Sequence, residues 1–296
     1  MKRFKKAYIE ITNSCNLNCS FCPKNTREKK FMSLDEYKHI MSEIKPYVNF
    51  LYLHLMGEPL LHPELDEILK LSSIEKMKIN ITTNGTLIRK NLDTLINNKC
   101  IRKVSFSLHS FEANDNDNFE NYMNDIIEAS KKLSDNNITV VLKLWNLDST
   151  NIEVEDNKGL NDLNDTIIRN ILDNLSNKKI DDVYDELKNR NTCEIYKHIY
   201  IQTGEKFEWP INTNDDNKFD KIFCYGMLDQ FGILSNGDVV PCCLDSEGKI
   251  KLGNIFNESM KDILSKDEVN KFINNMKKGI CPHSLCSKCT YARKKV

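Results

Sequence analysis

Three thiols fall within eight residues near the start of the chain, in the run Cys15-Asn16-Leu17-Asn18-Cys19-Ser20-Phe21-Cys22. Thiolates are soft donors suited to zinc, copper(I) or iron-sulfur groups. Three of them can bind three irons of a cubane 4Fe-4S cluster and leave the fourth iron without a protein ligand; an open metal position is what catalysis requires. The competing readings are a structural zinc loop and a ferredoxin-type electron carrier. Zinc ribbons favour two separated cysteine pairs, and bacterial ferredoxins space their cysteines two, two and three apart before a proline. Here the gaps are three and then two. Six of the eleven cysteines lie beyond Phe223, among them a C-x2-C pair at Cys286 and Cys289. That density marks a second, separate cluster-holding module.

The first trio must be held by what surrounds it. Up to about residue 145, short β-rich runs alternate with longer amphipathic stretches, the pattern of β-α units around a parallel sheet. The predicted strands are 8–11, 50–55, 77–82, 104–108 and 138–144, with 196–202 as a sixth. Ser33-Leu34-Asp35-Glu36 reads as a capping box opening a helix to about Ile44. Pro63 is placed in the first turn of the next helix, and further helices are expected over 87–97, 119–133, 160–175 and 181–189. Right-handed crossovers should curl such a sheet toward a barrel, its strand-end loops lining one mouth, with the cysteine trio directly after the first strand. The expected division is a core over 1–222, of which 146–222 is an irregular connecting region, and a small module over 223–296. In the latter, Asn236-Gly237-Asp238 is a credible hairpin turn.

Composition narrows the function classes. Of 296 residues 40% are hydrophobic and 29% charged, ordinary for a folded globular chain. No apolar run approaches the roughly 20 residues that span a bilayer, and there is no signal peptide, so a cytoplasmic protein is expected. A net charge of −1 offers no overall attraction to nucleic acid or an anionic membrane, which leaves a peptide or small polar substrate. An odd cysteine count in a long chain favours metal ligation over disulfides. Cys100 and Cys193 lack partners at ligand spacing and read as buried small hydrophobes. His54 and His109, near strand ends, could face the same cavity, though structural histidines are commoner there.

The C-x3-C-x2-C spacing with Phe21 before its last cysteine, Gly57-Glu58-Pro59 after the second strand, and Thr82-Thr83-Asn84-Gly85 ending the third together resemble the radical S-adenosylmethionine (SAM) superfamily. The resemblance implies an α/β fold, a partial (β/α)6 TIM-like barrel. It also implies a catalytic 4Fe-4S cluster on Cys15, Cys19 and Cys22, and reductive cleavage of SAM to methionine and a 5′-deoxyadenosyl radical that abstracts a substrate hydrogen. By analogy Gly57, Glu58 and Pro59 hold the SAM amino group, Phe21 lies against adenine, Thr83 and Asn84 end the third strand beside the cofactor, and Ser107 and Lys143 are candidate contacts to its carboxylate and ribose. Cys224, twelve residues, Gly237, four residues, Cys242 and the later pair resemble a SPASM domain or its shortened twitch form. That implies one auxiliary 4Fe-4S cluster on Cys224, Cys242, Cys286 and Cys289, with zinc as the bland alternative and Cys243 and Cys281 as possible replacements.

The implied reaction is oxidation or another modification of a peptide, protein, sugar or aminocyclitol, with an electron donor such as flavodoxin or ferredoxin as partner. The absence of a peptide-binding domain before residue 7 mildly disfavours a leader-dependent maturase. An alternative is a radical epimerase with Cys243 as hydrogen donor, on the expectation that Cys242 and Cys243 sit on an extended segment and point opposite ways. An alternative of another class is a non-catalytic zinc- or cluster-binding protein.

Overall fold

A computed structural model describes residues 4–23, 25–113, 118–145, 164–205, 207–213 and 219–293. The elements of the first half are β1 Phe4–Ile9, α1 Leu34–Ile44, β2 Val48–Tyr52, α2 Leu65–Ile74, β3 Lys78–Thr83, α3 Ile88–Asn97, β4 Ile101–Ser107, α4 Phe119–Asp135 and β5 Thr139–Trp145. There follow α5 Asn164–Leu175, α6 Ile180–Arg190, β6 Thr192–Tyr196, β7 Ile199–Gly204, β8 Gln230–Ile233, β9 Asp238–Val240, β10 Gly253–Asn254, α7 Met260–Ser265 and α8 Asp267–Lys277. Two short helical turns, α9 Ser284–Ser287 and α10 Thr290–Arg293, end the described chain. Two compact units result, one of Met1–Asn16, Phe21–Ile79 and Phe207–Val296, the other of Leu17–Ser20 and Asn80–Lys206.

In the first unit the strands run β10-β9-β8-β1-β2. β1 is parallel to β2 on one edge, Lys6 opposite Phe50, and parallel to β8 on the other, Lys6 opposite Gln230. Thus the hairpin of the cysteine-rich C-terminal segment extends the sheet begun by the first strand. The hairpin turn is where the sequence puts it, with Gly237 at φ +86° and its missing Cβ replaced by the ring of Phe256. Ser33 caps α1 with both halves of the box: the Glu36 amide donates to Ser33 Oγ at 3.2 Å and the Ser33 amide to Glu36 Oε2 at 2.8 Å. Tyr37, Ile40, Met41 and Ile44 recur at the helical period, so α1 buries one face. Val269, Phe272, Ile273 and Met276 repeat the pattern in α8.

Some expected bounds shift. β1 begins at Phe4 rather than residue 8 and stops at Ile9, because Phe4 is buried edge-on against Phe231 at 5.0 Å, a partner from the far end of the sequence. α2 starts at Leu65, two residues past Pro63; the proline that occupies a first helical turn is Pro59, in a 3-10 turn over Pro59–Leu61.

In the second unit the order is β4-β5-β7-β6. β4, β5 and β7 are parallel, with Ser107 opposite Lys143 and Lys143 opposite Gln202. The strand that continues the parallel row after β5 is β7. The expected 196–202 straddles a tight β6–β7 hairpin instead, whose turn puts His198 at φ +58° and makes β6 an antiparallel edge. α4 buries Tyr122, Met123, Ile126, Ile127 and Leu133. The helix expected over 160–175 is seen from Asn164, its first four residues lying outside the described chain. α6 ends at Asn191, in the left-handed conformation common after a helix terminus.

Candidate active site and second cysteine cluster

The N-terminal cysteines ride on a loop whose base is stapled. Thr12 and Phe31 form an antiparallel bridge. Thr12 Oγ1 donates to the Lys30 carbonyl at 2.9 Å, Asn13 Nδ2 to the Glu28 carbonyl at 2.8 Å, and the Lys30 amide returns to Asn13 Oδ1 at 2.8 Å. Above this base Cys15 and Cys22 are exposed and Cys19 half-buried. The carbonyl of Phe21 accepts from Trp209 Nε1 at 3.0 Å.

Gly57-Glu58-Pro59 rests directly on the start of that loop. The Glu58 amide donates to the Ser14 carbonyl at 2.8 Å. Gly57 adopts φ +78°, and a Cβ there would lie 2.4 Å from the Thr12 carbonyl oxygen and 2.7 Å from that of Ser14. Only glycine allows so close an approach in this conformation. Glu58 is buried and its Oε1 accepts from the Leu60 amide at 3.0 Å, fixing the turn into Pro59. The backbone at Gly57 thereby lies directly against the start of the cysteine loop.

In the second unit the strand-end candidates are placed differently. Thr83 and Asn84 are buried and shape their own turn: the Gly85 amide donates to Thr83 Oγ1 at 3.0 Å and the Thr86 amide to Asn84 Oδ1 at 3.0 Å. Tyr122 Oη donates to the Asn84 carbonyl at 2.8 Å. Ser107 and Lys143 are register partners on neighbouring strands, and Gln202, which sequence reasoning missed, continues their row on β7. His109 is buried and stacks on Trp145 with centroids 4.0 Å apart and planes at 10°. Burial there pushes the imidazole down to about 3.

The C-terminal cysteines, all in the first unit, are gathered and sequestered. None of the eleven cysteines is in a disulfide. Burial lifts the Cys242 thiol well above its usual range, and the nearby thiols of Cys243, Cys224 and Cys286 add to the rise. Cys286 and Cys289 are raised by burial in the same way, each with Cys224 among its neighbours. The residue surface of Cys242 is half-buried, but its sulfur lies deep among protein atoms. His283 caps α9 through the Leu285 amide, 3.1 Å from its Nδ1, and one turn then sets Cys286 and Cys289 three apart. The Gly226 amide points at Cys224 Sγ, 3.4 Å away, the kind of N-H to sulfur contact that tunes an iron-sulfur group. Among the described residues no three Cys, His, Asp or Glu side chains converge on one metal ion; in a cubane each thiolate bonds a different iron. This donor set of neighbouring, unbridged thiols with a backbone donor fits such a cluster.

Cys281 stands beside Cys286, its thiol turned to the His283 carbonyl at 3.2 Å. Cys242 and Cys243 lie in a turn after β9 rather than on an extended segment, which corrects the expected geometry. Their surroundings differ nonetheless: Cys242 has Cys224 and Cys286 among its neighbours, whereas Cys243 meets the apolar group around Tyr8. Cys243 packs on Tyr8, Leu55, Leu234 and Val240, and its thiol shares a hydrogen bond with Tyr8. Tyr8 in turn meets Tyr52 and His54, with ring centroids 5.0 and 5.5 Å away. Cys100 and Cys193 are buried.

A family model described as the radical SAM superfamily matches residues 9–156, half of the chain. A second, SPASM, described as an iron-sulfur cluster-binding domain, matches residues 224–290. A GTP 3',8-cyclase of Synechocystis sp. is 31% identical over 117 residues, 38% of this chain and 36% of that protein. An AdoMet-dependent heme synthase of Methanosarcina barkeri is 27% identical over 113 residues, 37% of this chain and 32% of that protein. The chain thus matches about a third of the length of these relatives. Among solved structures, BtrN in complex with AdoMet and 2-DOIA has a TM-score of 0.56 at 18% identity, over 98% of this chain and 94% of that one. SuiB of Streptococcus suis bound to the precursor peptide SuiA has a TM-score of 0.58 at 17% identity, over 98% and 73%. These likenesses show the fold, an α/β partial TIM-like barrel with a small C-terminal cluster domain.

Proposed function

Because the chain belongs to the radical SAM superfamily and carries a SPASM-type iron-sulfur domain, we propose that it is an enzyme that oxidises or otherwise modifies a peptide, protein, sugar or aminocyclitol. Its cofactors are 4Fe-4S clusters and SAM. When bound, they supply reductive cleavage of SAM and a 5′-deoxyadenosyl radical able to take a hydrogen atom from an unactivated carbon. Cys15, Cys19 and Cys22 hold the catalytic cluster, and Cys224, Cys242, Cys286 and Cys289 the auxiliary one. The backbone at Gly57, Glu58 and Pro59 orients the SAM amino group, Phe21 lies against the adenine, Ser107 and Lys143 are the contacts to SAM's carboxylate and ribose, and Thr83 and Asn84 are further cofactor-binding residues. Residues 223–296 act as the auxiliary module.

The observation that carries this reading is the opposite setting of the two cysteine sets. In one, two of the three thiols are exposed on a stapled loop against which the Gly57 backbone packs, as a site that must admit a cosubstrate needs; in the other, the sulfurs of Cys242, Cys286 and Cys289 are withdrawn from water, as suits an electron acceptor. Electrons reach the catalytic cluster from a donor such as flavodoxin or ferredoxin. The substrate classes are suggested by BtrN, crystallised with 2-DOIA, and by SuiB, crystallised with a precursor peptide. The cyclase and synthase likenesses cover too little of either protein to carry their substrates over. Among the described residues no helix is long and apolar enough to cross a membrane, and unbridged thiols suit the reducing cytoplasm.

Anaerobic reconstitution tests the reading. The protein should turn brown, hold about eight irons, and release 5′-deoxyadenosine from SAM under a strong reductant. Colourless protein containing zinc overturns it.

The packing of Cys243 on Tyr8, with which its thiol shares a hydrogen bond, favours a second reading, a radical epimerase. Cys243 would give its thiol hydrogen to a substrate radical, and the resulting thiyl radical would be restored by one electron from the donor protein and one proton. In deuterated water the wild-type product should then carry one solvent-derived deuterium, and the Cys243→Ala product none. A wild-type product without deuterium removes this reading.

A further inference from the structure

Glu10, one residue past β1, is fully buried, and its carboxylate receives five hydrogen bonds from three separate segments of the first unit. Arg27 grips it as a fork, Nη1 to Oε1 and Nη2 to Oε2, both at 2.7 Å. Ser235 donates its amide and hydroxyl to Oε1 at 3.1 and 3.0 Å. The Met56 amide donates to Oε2 at 3.2 Å. A carboxylate has about four lone-pair sites, so this one is saturated.

The donors are placed where they matter. Arg27 follows the cysteine loop, between Cys22 and the Glu28–Phe31 side of its base. Met56 adjoins Gly57. Ser235 opens the β8–β9 turn, from which the chain runs to Cys242. The same loop is gripped twice more from the C-terminal module. Arg27 Nε donates to the Ser246 carbonyl at 2.9 Å, and the Thr26 amide and hydroxyl donate to the two carboxylate oxygens of Glu247 at 3.0 and 2.6 Å. Burying a carboxylate and a guanidinium together yields little net stability over an apolar pair, whereas a bidentate, saturated pair fixes orientation.

We infer that Glu10 is a positioning residue through which the C-terminal module sets the geometry of the cysteine loop and of the Gly57 backbone. SAM affinity therefore depends on side chains of that module, Ser235 and Glu247, that are assigned to neither SAM nor a cluster. The inference rests on the reading that Cys15, Cys19 and Cys22 hold the catalytic cluster. It gives the auxiliary module a mechanical task besides any electron transfer.

The test compares reconstituted wild type with Glu10→Gln and Glu247→Gln. Three quantities are read: iron content, the SAM dissociation constant from the SAM-induced change in the electron paramagnetic resonance spectrum of the reduced protein, and amide hydrogen exchange. Glu10→Gln should keep its iron, weaken SAM binding by about tenfold or more, and speed exchange in residues 26–30 and 56–58 while leaving α8 protected. Should Glu10→Gln fail to fold, Glu247→Gln decides. It should fold normally, weaken SAM binding by a few-fold, and speed exchange in residues 26–30. Unchanged SAM affinity in each folded, fully loaded variant overturns the inference. A wild type whose spectrum does not respond to SAM overturns the underlying reading of the cysteine trio instead, and is recognised before any variant is made.

Discussion

The two cysteine sets use the same donor atom in opposite surroundings. Around Cys15, Cys19 and Cys22 the protein invests in the loop base and leaves the thiols near water. Around Cys224, Cys242, Cys286 and Cys289 it buries the sulfurs of the last three and brings all four within electrostatic reach of one another. A site that must bind and release a cosubstrate needs an approach as well as ligands, whereas a site that only accepts an electron gains from a low dielectric and a closed ligand set. The difference lies in what the backbone does between the cysteines rather than in their number.

The sharpest way to break this contrast is to delete one set at a time. Replacing Cys15, Cys19 and Cys22 together by Ala should abolish 5′-deoxyadenosine formation and lower bound iron by about half. Loss of all iron would show that the two sets are not independent. Cys286→Ala with Cys289→Ala should also remove about half of the iron, but some SAM cleavage should persist without product. Because a closed cluster helps fold its own module, this variant should melt earlier than the first. A melting point above that of the N-terminal triple variant would contradict the assignment of the buried set as the structural one.

A subtler change probes the open side alone. Gly57→Ala forces a Cβ to within 2.4 Å of the Thr12 carbonyl oxygen at φ +78°. A strained residue of this kind costs about 1–3 kcal/mol, and the displaced cradle should weaken SAM binding about tenfold at unchanged iron content. Calorimetric melting and SAM titration would measure both, and normal affinity would remove Gly57 from the cosubstrate site.

The smallest effect belongs to the second unit. His109 is held neutral by burial, its pKa brought down to about 3 from an ordinary 6.5. Below the ordinary value the unfolded chain takes up a proton that the folded one refuses, so stability should fall as pH falls through 6.5 toward 3, by roughly 1.4 kcal/mol per pH unit. His109→Phe, which can keep the stack on Trp145, should lose that slope when denaturant midpoints are compared at pH 5.5 and 7.5. An equal slope in both proteins would assign the pH dependence to other groups.

Much of this was legible in local signals. The cysteine spacing, the Gly57-Glu58-Pro59 turn, the Ser33 and Glu36 box and the Gly237 hairpin are each written within a few residues, and periodicity exposes α1, α4 and most β-α units. What escaped is pairing at long range. Nothing around Phe4 announces Phe231, so β1 was expected to start late. A run of β-formers from Tyr196 hides a hairpin because His198 carries the turn without glycine or proline. Glu10 falls inside the predicted first strand as an unremarked polar residue until Arg27, Met56 and Ser235 are seen around it. Gln202 joins the row of Ser107 and Lys143 only through register.

The parallel pairing of β1 with β8 also constrains when the protein can become itself. Glu10 and Ser235 lie 225 residues apart in sequence. At about 5–20 residues per second a ribosome needs roughly 10–45 s to deliver the second after the first. Until then β1 has a partner on one edge and an open row of amides and carbonyls on the other, the kind of edge that recruits strangers. So high a contact order predicts slow maturation and a nascent chain that benefits from chaperone cover. It also orders assembly in time: the grip of Ser246 and Glu247 on the segment after the cysteine loop can form only once the C-terminal hairpin has arrived.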